Sequence, residues 1–207
     1  GYGVNNEELF NEELYNAKKG LTLDENNVTC QWNMCELYME WANRTHGTRN
    51  PLTDLNNRLK LAEQHHNKAF ALNHNDPRVV AQKGELLTWQ GQPDEGAVWI
   101  RLAMRLDPSA AASRTHLLVR ALHIGRHYEE AIDTFSQIEK HRYNHHVEIS
   151  ACYAQLRLNE LAKQHASEVI LHKPDFTVKQ YINSLPFLKN EDRKHHTVGL
   201  NKTGLPK

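Results

Sequence analysis

The chain is poor in the features that usually announce chemistry. No apolar run approaches the roughly 18 residues that a membrane-spanning helix needs. Its 25 basic and 25 acidic residues cancel, whereas a nucleic-acid footprint needs a basic stripe and a strong net charge. The three cysteines, Cys30, Cys35 and Cys152, are odd in number and form no C-x-x-C pair. They are read as reduced, small core residues of a cytoplasmic domain. There is no Gly-rich phosphate loop, no G-x-S-x-G and no H-E-x-x-H, so no cofactor and no enzymatic activity are expected of this chain. Fourteen histidines invite a metal reading. The pairs His65-His66, His145-His146 and His195-His196 are adjacent, however, and neighbours on a helix splay about 100° apart. No cysteine or carboxylate completes a set at zinc-like spacing, and the histidines are read as surface residues. The sequons at Asn27, Asn43 and Asn201 are read as chance in an Asn-rich chain.

Repeated punctuation is what the chain does have. Asn73-His74-Asn75-Asp76-Pro77 closes one helix pair and opens another, and Asp107-Pro108 does the same, Pro108 lying 34 residues beyond His74. Pro77 suits the first position of a helix, where its missing N–H has no partner to lose, and Asp76 is a candidate cap. Gly91-Gln92-Pro93-Asp94 breaks the segment into two helices. Gly84, Gly96 and Ala103 are small where two helices must approach closely, and Val80, Leu87 and Ile100 are apolar between them. These residues, with Pro108, resemble the tetratricopeptide repeat (TPR), a helix–turn–helix unit of 34 residues that stacks into a solenoid. Lys83 departs from the pattern where Leu is usual, and its stem can lie along apolar surface.

The resemblance implies an all-α, right-handed TPR-type α-solenoid with C-terminal capping helices, in one domain. Helix B of a partial repeat is expected over 5–24, with Phe10, Leu14, Ala17 and Leu21 on one face. Full repeats are expected over 28–74 (with an insertion at 43–52 containing Thr48-Arg49-Asn50-Pro51), 77–110, 111–143 and 144–174. The A–B turn of the third, Gly125 to Ala131, reads one residue longer than the turn before it. The fourth reads about three residues short, and its turn from Gln155 to Asn159 lacks glycine. A polar-faced cap is expected over 175–207, since repeat arrays need one. The start at Gly-Tyr-Gly and the unpaired first helix are read as a piece of a longer protein or a processed chain.

A second resemblance covers Glu148 to Lys207. Glu148-Ile149-Ser150-Ala151-Cys152-Tyr153-Ala154-Gln155-Leu156, Lys173-Pro174-Asp175-Phe176-Thr177-Val178, Ser184-Leu185-Pro186-Phe187, Asp192-Arg193 and Gly199 to Pro206 resemble the TPR tails of bacterial proteins. In those proteins the tails follow class III adenylate/guanylate cyclase domains or winged-helix regulator domains. The resemblance implies a regulatory, partner-binding tail in signalling and carries over no catalytic residue.

A solenoid leaves a concave face of A helices for a partner. By register that face carries Thr29, Trp32, Glu36, Met39 and Glu40, then Arg78, Ala81, Glu85, Thr88 and Trp89, then Ser113, His116, Arg120, His123 and Ile124. The candidate binding residues are Trp32, Glu36, Met39, Glu85, Trp89, His116, Arg120 and His123, because Trp, Met and Arg are enriched at interface cores. The blander alternative packs Trp32 and Trp89 between adjacent A helices. The Lys/Asn/Lys/Arg clamp of chaperone-binding TPRs is missing, and Glu36, Glu40 and Glu85 would repel a terminal carboxylate. The expected function is a non-catalytic scaffold for a protein or peptide, without nucleic acid or a membrane span. The alternatives are control of an attached class III cyclase, or homo-oligomerisation.

Overall fold

A computed structural model describes residues 6–44 and 51–207. Among these there is no strand, and eleven α-helices follow one another as antiparallel pairs. They are α1 (Asn6–Leu23), α2 (Val28–Arg44), α3 (Pro51–Leu72), α4 (Pro77–Trp89), α5 (Pro93–Leu106), α6 (Ala111–Ile124), α7 (Tyr128–Phe135), α8 (Tyr143–Gln155), α9 (Asn159–His172), α10 (Val178–Ser184) and α11 (Asn190–Asn201). Helices α2, α4, α6 and α8 form the A layer and α3, α5, α7 and α9 the B layer of an all-α, TPR-type solenoid. The A helices α4 and α6 start 34 residues apart, at Pro77 and Ala111. The insertion expected at 43–52 lies largely outside the described residues, and Phe10 and Glu40 lie outside the described side chains.

Local chemistry explains the element ends. The Asp76 carboxylate accepts from the Arg78 N–H at 2.9 Å, capping α4 ahead of Pro77. Helix α5 opens with Pro93, Asp94 and Glu95 and carries Arg105 in its last turn, charges that complement the helix dipole. The pair α4/α5 crosses where side chains are absent. A Cβ on Gly84 would lie 2.6 Å from both the Gly96 carbonyl oxygen and Ile100 Cγ1. Helix α1 packs on α2 through Ala17, Met34 and Leu37, with Leu14 and Leu21 beside them.

The A–B turns correct the sequence reading. Each has three residues, 90–92, 125–127 and 156–158, so the third repeat's turn is not longer. The extra residue lies in α6, which has 14 residues where α4 has 13. Each turn closes alike: the N–H groups of Gln92, His127 and Leu158 donate to the carbonyls of Leu87, Leu122 and Tyr153 at 2.8, 2.9 and 2.9 Å. This is the Schellman pattern, which needs a left-handed residue in the middle. Gly91 supplies it at φ 81°, but Arg126 and Arg157 adopt φ 68° and 64°. The fourth repeat is not the short one either. Helices α8 and α9 have 13 and 14 residues, matching α4 and α5, and the shortening falls in α7, with eight.

Past α9 the chain forms a helical hairpin, α10 and α11 joined by residues 185–189. Its base is tied by the Val178 N–H donating to the Pro206 carbonyl at 2.7 Å. Helix α11 packs on α8 and so closes the end of the array, while α10 reaches α2. The hairpin therefore also lies across the A layer, on the face turned away from the B helices.

Candidate functional site

The A helices present a ladder of polar links along the concave face. Between α2 and α4, Gln82 Nε2 donates to the Trp32 carbonyl (3.0 Å) and to Glu36 Oε1 (2.7 Å). Between α4, α6 and α8, Arg120 donates to Glu85 Oε1 (3.1 Å) and Glu148 Oε1 (3.0 Å). The Arg120 guanidinium lies 5.1 Å from the Trp89 ring centroid, a cation–π arrangement. Burial alone would lower the pKa of Arg120, but the Glu148 and Glu85 carboxylates outweigh it and raise it. Burial pushes the Glu148 carboxyl up, against the pull of Arg120.

The hairpin covers the middle of this ladder. Phe187 meets Trp89 edge to face at 5.3 Å. The Leu188 N–H donates to the Trp89 carbonyl at 3.0 Å, and Lys189 Nζ donates to the Gly91 carbonyl at 2.6 Å. Met39, Leu86, Trp89, Ile124 and Phe187 form one buried cluster with Leu185 and Leu188 packed on it. Trp89 is only 4% exposed, and hairpin residues cover it rather than neighbouring A helices alone.

Farther along, His196 of α11 stacks on His123 of α6, with centroids 4.5 Å apart. The Glu148 carbonyl lies 3.0 Å from His123 Nδ1; a carbonyl can only accept, so the His123 proton sits on Nδ1. His123 Nε2, both ring nitrogens of His196 and the Tyr181 hydroxyl are buried without a partner among the described residues. Burial lowers the pKa of His123 to about 4 and that of His196 well below the usual histidine range, with His123, His195 and Arg120 adding repulsion. This part of the seam between hairpin and array, beyond the apolar contact at Phe187, is thus polar and incompletely satisfied, which makes it the weaker part of the joint.

The candidate residues divide into two groups. Met39, Glu85, Trp89, Arg120 and His123 come together under the hairpin or at its edge. Trp32 and Glu36 lie at the other end, beside Glu13, Asn16 and Asn33 in a cleft of about 470 Å³ between α1 and α2. Arg78 sits 5.5 Å from the Trp32 ring centroid. His116 stacks on His145 at 6.0 Å. Thr88, assigned by register to the concave face, instead donates to the Gly84 carbonyl at 2.8 Å and is buried toward α5. The surface reading of the histidines is wrong for His66, His123, His145, His146 and His196, all buried. Helix α8 is covered on more than one side, so His145 and His146 are both inside although splayed about 100° apart, whereas His66 and His196 are buried beside part-buried His65 and His195.

Sequence reasoning missed Gln82, Glu148, Tyr181, Phe187 and His196. A buried-side Glu four residues before Cys152 was a readable signal; the hairpin residues carried none, because nothing local says that a cap folds back. Among the described residues no group of three or more His, Cys, Asp or Glu side chains could hold a metal ion. Burial raises the thiol pKa of Cys35 and Cys152 well above the usual value, which removes thiolate reactivity.

No family model and no curated protein matches the chain. A solved structure similar to it is that of YrrB, described as a TPR protein with an unusual peptide-binding site. The two share 15% identity over 90% of each chain, with a TM-score of 0.48.

Proposed function

We propose that the chain is a non-catalytic interaction scaffold. Its concave A-layer face binds a protein or peptide, and the hairpin shares that face in cis. The observation that supports this most is the seating of residues 185–189. A short segment lies on the face, gives a backbone hydrogen bond to Trp89 and puts an aromatic side chain against its indole. Those are the ways a partner segment would be held. Trp32, Glu36, Met39, Glu85, Trp89, His116, Arg120 and His123 are the proposed contact residues, with the Trp32–Glu36 end outside the hairpin's cover. Arg120 has a second duty, since it neutralises one buried carboxylate, Glu148, and one part-buried one, Glu85.

Regulation of an attached domain, such as a nucleotide cyclase, is a second reading favoured by one observation. The stretch that resembles cyclase-linked tails includes the segment that occupies the face.

The test is a Phe187→Ala/Leu188→Ala variant, checked first for unchanged helicity and faster hydrogen exchange around Trp89. A peptide library is then screened against the variant and the wild type. The expected result is peptide binding near micromolar, about −8 kcal/mol, by the variant and weaker binding by the wild type. Adding Trp89→Ala should abolish it. A variant with a freed face that binds no peptide overturns the proposal.

A further inference from the structure

The cleft between α10 and α11 belongs wholly to the hairpin: all its lining residues fall within 178–207, and none comes from the array. Its lining is thus separate from that of the concave face. Its volume is about 560 Å³. The floor is apolar, made by Val178, Ile182 and Val198, and the rim is basic, with Lys179, Arg193 and Lys194; no Asp or Glu lines it.

We propose that this cleft docks an acidic amphipathic helix of a partner protein.

The first argument is charge. Residues 178–207 hold six Lys or Arg and two Asp or Glu, so the remaining 177 hold 19 of the 25 basic and 23 of the 25 acidic residues. A chain with no net charge is thus divided into a hairpin of +4 and a body of −4. Part of that positive charge does serve attachment, since Lys189 and Lys202 donate to Gly91 and Gln155 of the array. The cations at the cleft do not. Lys179 and Lys194 are exposed, and no described side chain or carbonyl bonds to either amine. Arg193 gives its two hydrogen bonds to the Ile182 and Leu185 carbonyls, at 3.3 and 3.4 Å. Those acceptors are neutral, so a half-buried guanidinium keeps an uncompensated charge.

The second argument is shape. Val178 and Ile182 sit four residues apart on α10; they are 2% and 5% exposed, so only their edges reach the cleft, and Val198, 51% exposed, stands opposite on α11 as the open apolar side chain of the lining. Two helices with an apolar trough between them accept a third, and an open trough flanked by lysines selects one with apolar residues inward and carboxylates at the edges. Helix α10 has seven residues and α11 has 12, about 10 and 18 Å, which sets the partner helix at roughly two to three turns. A nucleic acid would find the rim but nothing for the apolar floor. This surface is separate from the concave face, and its failure would leave the concave-face proposal standing.

The probe is a labelled 14-residue peptide with Leu at i, i+3, i+4 and i+7 and Glu elsewhere, titrated into the full chain by fluorescence anisotropy. A twin peptide with Lys for every Glu is the charge control, and phosphatidylserine vesicles test an anionic membrane as the alternative. The expected result is saturable binding of the acidic peptide alone, weakened by salt. Lys179→Glu/Lys194→Glu and, separately, Val198→Asp should each weaken it about tenfold or more. All three positions are exposed, so the variants should melt like wild type. Absence of saturable binding, equal binding of the Lys twin, indifference to both variants, or binding of vesicles in place of the peptide would each overturn the assignment.

Discussion

The two ends of the concave face differ in what covers them. Around Trp89, Arg120 and His123 the A helices carry the hairpin, and aromatic and polar side chains are enclosed. Around Trp32 and Glu36 the same layer borders a cleft with α1. Both ends are built from one repeat geometry and linked rung to rung by Gln82 and Arg120. The repeat therefore does not decide which part of the face is available. What decides it is where a non-repeating segment lands. A side chain's place in a repeat says which way it points, and only the whole chain says whether it points into solvent or into another part of the protein.

The largest effects should come from the covered end. Phe187 is 2% exposed and packs on Trp89 and His196. Phe187→Ala removes an enclosed ring, and such truncations cost about 3–5 kcal/mol. If the hairpin is a separable cover, the loss will appear first as faster amide exchange in 185–201 and at Trp89, before global unfolding in urea. Arg120→Ala should cost a similar amount by another route. It leaves Glu148 and Glu85 without their cation, and removing one partner of a buried pair typically costs about 3–5 kcal/mol. A melting temperature unchanged in Arg120→Ala would mean that the carboxylates find water instead, and that this end is as open as the other.

Acid should separate the ends next. His116, His123, His145 and His146 have pKa values lowered to about 4 in the fold, and His196 lies well below the usual range; burial is the main cause in each. Values below the ordinary 6.5 mean that the unfolded chain binds more protons. Their neutral forms thus contribute fully above about pH 6.5, and that contribution is lost as pH falls toward about 4. One pKa unit is worth about 1.4 kcal/mol for a fully buried group, and less for the half-buried ones. A fall from pH 7 to pH 5 should cost about 2 kcal/mol at fully buried His123 alone, and more once the other histidines are added. Hairpin exchange should rise before exchange in α4 and α5. His66, also at about 4, adds a smaller acid sensitivity in α3. Equal acid response at both ends would remove the histidine seam as the weak joint.

Much of the array was legible in the chain, because the repeat writes the same instruction more than once. Gly84 and Gly96 mark a crossing that the structure places at van der Waals limits. Gly84→Leu should cost about 1–3 kcal/mol by overpacking, read in a urea melt; a variant as stable as wild type would break the register under both ends. The turns were harder to read. Arginine stands where glycine is expected at 126 and 157, and hydrogen bonding across the turn overrides the residue's own preference. The hairpin's destination was not legible. Pro186-Phe187-Leu188 is a short apolar run between two polar helices, with no periodicity tying it to Trp89 about a hundred positions earlier. The same gap hid the burial of His196, whose partners His123, Tyr181 and Phe187 come from three different segments.

The smallest effect on stability should be at Trp32, and it carries the most weight for function. Its carbonyl accepts from Gln82, but that bond is to backbone and survives truncation. Its indole N–H is buried without a partner among the described residues, so Trp32→Ala removes an unsatisfied donor along with the ring. The contact with Arg78 involves an exposed guanidinium, where cation–π pairs are worth about 0.5–1 kcal/mol. The ring is only part-buried, so the net loss should be about 1 kcal/mol or less, well under that of Phe187→Ala. Binding should respond in the opposite order. In the Phe187→Ala/Leu188→Ala background, a peptide lying along the whole face would use Trp32 as an anchor, and anchor truncation typically costs about 2 kcal/mol, near thirtyfold. The measurement pairs a urea melt with peptide titration on the same preparations. A Trp32→Ala variant that loses stability as Phe187→Ala does would show that this end is packed, not exposed. One that keeps both stability and affinity would confine the contact surface to the Trp89–His123 half.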